Sequence, residues 1–144
     1  MRARLRSNRG TALLETAMTL PLVLLVSVSI FEFGRAYQTW QVLTNASREA
    51  ARIAVLPGTT DADINARVQA YLAAGQISNP QSATVGIDRT KTVSIGLGTA
   101  PATQITVNYP FSFMMLNPVA KLVVPNSALG GAFTMSAQAE MRNE

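Results

Sequence analysis

The sequence predicts an α+β protein with one long N-terminal helix, a second short helix and an antiparallel sheet of about four strands. Three observations predict it. An uncharged apolar run over residues 16–31 passes without a break into polar residues at helical spacing. A second short stretch, over residues 61–74, repeats the helical period. Beyond residue 82 the apolar period falls to two, as in strands with one buried face.

The first helix has two characters. Residues 16–31 read TAMTLPLVLLVSVSIF. As a helix this run covers about 24 Å, and residues 12–15 and 32–34 extend it toward the roughly 30 Å of a hydrocarbon core. Pro21 would break a soluble helix, but helices in lipid tolerate proline. From residue 38 onward, Gln38, Gln41, Asn45, Arg48, Glu49 and Arg52 fall on one face, and Trp40, Leu43, Ala50 and Ala54 on another. Pro57-Gly58 then stops the helix. A single helix from about residue 12 to about residue 56 would measure roughly 65 Å, far more than a small domain uses internally.

The second helix is expected over residues 61–74, capped by Thr60 with Asp63 near its start and ended by Gly75. Its apolar stripe is Ile64, Val68, Tyr71 and Leu72. Three short strands follow, at Ala83-Val85-Ile87, Val93-Ile95-Leu97 and Ile105-Val107-Tyr109, with turns at residues 88–91 and 98–101. Residues 110–131 hold Pro110, Pro118 and Pro125, with room for a short helix near residues 119–123. A fourth strand alternates through Phe133, Met135, Ala137, Ala139 and Met141. The expected organisation is a basic tip at residues 1–10, a membrane half of the long helix at 11–34, an amphipathic half at 35–56, and an α+β domain at 57–144 outside the cytoplasm.

Only 14% of residues are charged, against about 25% in ordinary soluble domains. The net charge of +4 has a location. Arg2, Arg4, Arg6 and Arg9 lie within the first ten residues, which hold no acid, and the remaining eight basic residues equal the eight acidic ones. A nucleic-acid binder spreads its basic surface over the folded domain, so no nucleic-acid partner is expected. Arginines before an apolar run favour a cytoplasmic N-terminus, and membrane lipid is the expected surrounding.

Catalytic chemistry finds little support. There is no Cys and no His, which removes thiolate nucleophiles, imidazole bases and most transition-metal sites. No metal, cofactor or enzymatic activity is expected. Asp61-x-Asp63-x-Asn65 opens like a calcium loop, but Ala66 and Leu72 stand where the required Gly and Glu would be. Gly96-x-Gly98 precedes no helix and so is no phosphate loop, and the glycosylation triplet Asn45-Ala46-Ser47 lies mid-helix.

The most specific pattern is Arg9-Gly10-x-Ala12-x-x-Glu15, followed by Leu20-Pro21-Leu22, Phe31-Glu32-Phe33-Gly34-Arg35-Ala36 and Leu43-Thr44-Asn45-Ala46-Ser47-Arg48-Glu49-Ala50-Ala51-Arg52. It resembles the TadE-like pseudopilins, or minor pilins, of Tad (tight adherence) systems, which are type IV pilin-like. It differs from the common pattern at Thr16, where an aromatic residue often follows the Glu. The resemblance implies a pilin-like fold and a role in assembling a pilus used in surface adhesion and biofilm formation. It implies cleavage between Gly10 and Thr11 by a prepilin peptidase. It also implies partnership with other pilin subunits and with the Tad inner-membrane assembly platform. The chain would then sit in the bacterial inner membrane as a single-pass protein with a periplasmic C-terminal domain, and in some cases in the pilus itself.

Several readings stay open at this level. Residues 1–34 also fit an uncut signal anchor carrying an extracytoplasmic binding domain. They fit a cleaved secretory signal less well, because Glu15 inside the apolar region is costly there. In the pilin reading, Glu15 pairs with the α-amino group that cleavage frees on Thr11 of a neighbouring subunit, and so sets register. Alternatively it sits at headgroup level, favoured by the helix N-terminus. Glu32 and Arg35, spaced i, i+3, suit an ion pair at the outer interface. Ala46, Ala50 and Ala54 form a ridge of small residues suited either to core packing or to a contact with another helix.

Overall fold

A computed structural model describes residues 9–143, with side chains from residue 10 onward. The expected basic tip at Arg2, Arg4 and Arg6 lies outside the described residues. Helix α1 spans Arg9–Ala54 and α2 spans Asp61–Ala74. Strands β1 (Thr84–Ile95) and β2 (Gly98–Phe111) follow, then α3 (Leu116–Val123) and β3 (Phe133–Arg142). The sheet is an antiparallel meander of order β1-β2-β3. The chain divides into two compact units. The first comprises the described residues up to Gly34 together with Ser112–Gly131, and the second Arg35–Phe111 together with the residues from Ala132 on.

The α+β class stands, with three strands rather than about four. The two strands expected on either side of residues 88–91 are one strand, β1, whose register against β2 slips between Asp88 and Lys91. The Asp88 carboxylate accepts hydrogen bonds from the Thr90 amide (2.9 Å) and hydroxyl (2.6 Å). A local Asx arrangement thus absorbs the one extra residue of β1 as an irregularity, where the sequence suggested a reversal. The true turn is Gly96-Leu97, earlier than the expected 98–101. Gly96 has φ +68°, which a side chain would strain. Pro101 and Pro110 both lie in the central strand, at its ends. Pro101 pairs with β1 beyond the last β3 partner at Ala102, and Pro110 pairs with β3 beyond the first β1 partner at Asn108. Each occupies a place where one neighbouring ladder is missing, so its absent N–H leaves no gap.

The second unit holds the main core. Helix α1 contributes Ala36, Thr39, Leu43, Ala46, Ser47, Ala50, Ala51 and Ala54, a buried stripe at helical spacing. Trp40, expected on that stripe, is 46% exposed and lies 6.2 Å from Tyr37. Beside that stripe the end of α2 approaches α1 closely: a Cβ on Gly75 would come within 2.5 Å of the Val42 side chain. Buried hydroxyls on the stripe stay satisfied, with Ser47 donating to the Thr44 carbonyl (2.9 Å) and Thr39 to the Arg35 carbonyl (3.0 Å). Helix α2 buries Ile64, Val68 and Leu72, and β2 buries Ile105, Val107, Tyr109 and Phe111 on alternate positions. The Tyr109 hydroxyl donates to the Ser78 carbonyl.

Thr60 caps α2 in a full capping box. Its hydroxyl accepts from the Asp63 amide (3.3 Å), while the Asp63 carboxylate accepts from the Thr60 amide (2.9 Å). The hydroxyl's share of such a cap is commonly about 1 kcal/mol. Glu49 links α1 to α2. It accepts from Arg67 at 2.7 Å and pairs with Arg52 at 3.3 Å. The Arg67 hydrogen bond holds the Glu49 carboxyl below the ordinary carboxylate range; partial burial opposes the shift and the charge of Arg52 assists it. A lowered folded-state pKa stabilises above the unfolded value and is lost as pH falls through the folded one. Thermal unfolding in detergent should therefore show stability falling below about pH 4.5. Glu49→Gln should flatten that limb without abolishing it, since Asp63 and Asp88 are lowered in the same direction by Thr60 and Thr90. An unchanged acid limb would remove Glu49 from this account.

Candidate functional site

The first half of α1 carries the candidate site. Gly10 and Thr11 lie in its first turn and are exposed, and open space surrounds the position of a Cβ at Gly10. Glycine is the weakest helix former after proline, so this turn is the easiest part of α1 to unwind. Glu15 follows one turn later, exposed, and is the single charged residue between Gly10 and Glu32.

Around and beyond Glu15 the helix presents apolar side chains on every side. Leu13 (72%), Met18 (70%) and Ile30 (69%) lie on different sides of the helix and are all open, while Pro21, Leu25, Val28 and Ser29, on the side that leads to Glu32, are half-buried. Its hydroxyls turn inward to its own backbone. Thr16 donates to the Ala12 carbonyl (2.9 Å), Thr19 to Glu15 (2.9 Å), Ser27 to Val23 (2.8 Å) and Ser29 to Leu25 (2.6 Å). A surface that is apolar all round with its polar groups satisfied internally suits lipid and not water. A shallow groove lined by Leu22, Val23, Val26 and Ser27 follows Pro21.

The remaining sequence-predicted residues are placed as follows. Glu32 is buried, 6% exposed, and its carboxylate accepts the backbone amides of Met114 (3.2 Å) and Met115 (3.1 Å). Those amides open α3, whose own N-cap residue, Met115, offers no side-chain cap. A carboxylate from a distant helix thus takes the N-cap amide of Met115, the amide that an N3 Glu takes in a capping box, together with the Met114 amide just before it. Sequence reasoning did not find this role. The only signal was a carboxylate at the end of an apolar run, and the partner lies 82 residues away. The Arg35 guanidinium lies over the Phe111 ring, 4.5 Å from its centroid. Ala46, Ala50 and Ala54 are buried in the second unit, so the close approach they allow is within the chain. Among the described residues no three His, Cys, Asp or Glu side chains are grouped to hold a metal.

These features define the class: a chain with one N-terminal helix long and apolar enough to cross a membrane, followed by an α+β unit. Residues 10–52 match the family model described as TadE-like protein, the family that the chain's motifs resemble. The match coincides with α1 almost end to end and leaves α2, the sheet and α3 outside it. That family is pilin-like, associated with Tad pili, and structural rather than catalytic. No match is found among curated proteins or solved structures.

Proposed function

We propose that this chain is a minor pilin, or pseudopilin, needed to assemble a Tad-type pilus used in surface adhesion and biofilm formation. The observation that carries the reading is that the family match runs along α1 and takes in its exposed apolar half, where Glu15 is the single charge between Gly10 and Glu32. The mechanism has three steps. The N-terminal arginines stay cytoplasmic and the second unit crosses to the periplasm. A prepilin peptidase then cuts between Gly10 and Thr11. The freed α-amino group of Thr11 meets Glu15 of a neighbouring subunit, since two unpaired charges in lipid are costly and a paired set much less so. The partners are other pilin subunits and the Tad inner-membrane platform.

Mass spectrometry of the protein extracted from native membranes tests this reading. A chain beginning at Thr11 is expected, with Gly10→Leu blocking the cut. Protease added to spheroplasts should digest the second unit. An intact N-terminus beside an active prepilin peptidase would leave only the uncut anchor.

A further inference from the structure

The segment Ser112–Gly131 belongs to the first unit, with the apolar half of α1. Two contacts fix where it starts. Glu32 holds the amides of Met114 and Met115, and the Phe113 ring meets Phe33 edge-on at 5.7 Å between centroids. Glu32 is the first charged residue after the uncharged run, and Phe31 just before it is 80% exposed. The segment is therefore pinned where the uncharged run of α1 ends.

Helix α3 is short and has two apolar faces. Leu116 and Ala120 are buried. Met115, Pro118 and Leu122, at i, i+3 and i+7, form a second stripe that is exposed, with Met115 at 61% and Leu122 at 70%. Met114, Val124 and Leu129 extend that exposure. Lys121, exposed on another side of α3, is the segment's single charge. Eight residues cannot hold a helix in water by propensity alone, and α3 takes its cap from Glu32. Its helical state is thereby tied to the end of the apolar run.

We infer that α3 and its flanks form an interfacial foot that lies in the headgroup layer of the membrane. Met114, Met115 and Leu122 enter the acyl boundary and Lys121 reaches lipid phosphates. This rests on the reading of the first half of α1 as membrane-spanning. The occupant is lipid because the exposed stripe is continuous, through Glu32 and the Phe33–Phe113 contact, with the apolar surface of α1 that the same reading places in lipid. A cation beside an apolar stripe is also the pattern of interfacial helices, whose apolar faces sit about 5–10 Å into the headgroup boundary.

The test uses tryptophan reporters in the full chain reconstituted in vesicles, with the sole native tryptophan removed as Trp40→Phe. Leu122→Trp, with Met115→Trp as a second reporter, probes the foot, and Leu24→Trp probes the span. Lipids brominated near the carbonyl end of the acyl chain should quench Leu122→Trp by about half or more, and lipids brominated near the chain terminus should quench it much less, given the shallow depth of interfacial helices. Leu24→Trp should show the reverse. Adding Glu32→Ala should weaken quenching at Leu122→Trp and leave Leu24→Trp unchanged. Quenched Leu24→Trp beside water-like Leu122→Trp and Met115→Trp would overturn the foot and leave the span standing. Blue-shifted but unquenched foot reporters would mean a protein covers α3, which also overturns it. Unquenched Leu24→Trp would overturn the span and the foot together.

Discussion

Glu15→Ala is expected to abolish subunit association while leaving synthesis, membrane insertion and cleavage after Gly10 intact. In an assembly where Glu15 meets the α-amino group of Thr11 on the next subunit, the substitution removes one charge and strands the other. Losing one member of a buried pair commonly costs about 3–5 kcal/mol. Each 1.4 kcal/mol is tenfold, so the association equilibrium shifts by roughly a hundredfold or more. Insertion should survive, because alanine enters lipid more readily than glutamate. The fold should survive as well, because Glu15 and its neighbours from Gly10 to Leu20 are exposed. In-membrane crosslinking with a count of pili measures the effect. Unchanged crosslinks and normal piliation would show that Glu15 is a tolerated interface residue and that the register mechanism is wrong.

Leu43→Ala is expected to do the opposite, destabilising the second unit while the apolar half of α1 stays in the membrane. Leu43 is completely buried, and its neighbours along the α1 stripe, Ala46, Ser47 and Ala50, are too small to fill the space it leaves. Leu→Ala in such a site costs about 2–5 kcal/mol, the upper part applying where the surroundings cannot collapse. Domains of this size have only about 5–15 kcal/mol in total. Pulse proteolysis of the full chain in detergent along a urea gradient should show a clearly lowered midpoint for Leu43→Ala. Leu43→Met should lose less than about 1.5 kcal/mol. Equal midpoints for wild type and Leu43→Ala would remove Leu43 from the core.

The helices were legible to different depths for physical reasons. The boundaries of α2, Asp61–Ala74, agree with the expectation because start and stop are local chemistry: the Thr60–Asp63 box and Gly75. The reason for Gly75 was not legible. Its φ of −77° demands no glycine, and only the approach of Val42 does. The buried stripe of α1 was half legible. Leu43, Ala50 and Ala54 fall on it, but Trp40 does not, since hydrophobicity alone cannot foresee that a close-packed seam excludes a large ring. The break expected at residues 88–91 failed because the polar run Asp88-Arg89-Thr90-Lys91 reads as a turn, whereas the ladder to β2 continues on both sides of it.

The sequence by itself determined the long apolar helix and the family match: residues 10–52 carry their information as local composition and spacing, and an uncharged helical run needs no partner to be recognised. It also determined α+β as the class, since periods of 3.6 and two are properties of neighbouring residues. Only the tertiary structure decided what Glu32 does. Its carboxylate caps a helix that begins more than eighty residues later, and the stripe of Met115 and Leu122 is left uncovered. A cap is ordinarily read from the residue beside the helix end. When the chain supplies it from a distant helix, the need and its satisfaction lie in separate parts of the sequence, and only folding brings them within hydrogen-bond distance.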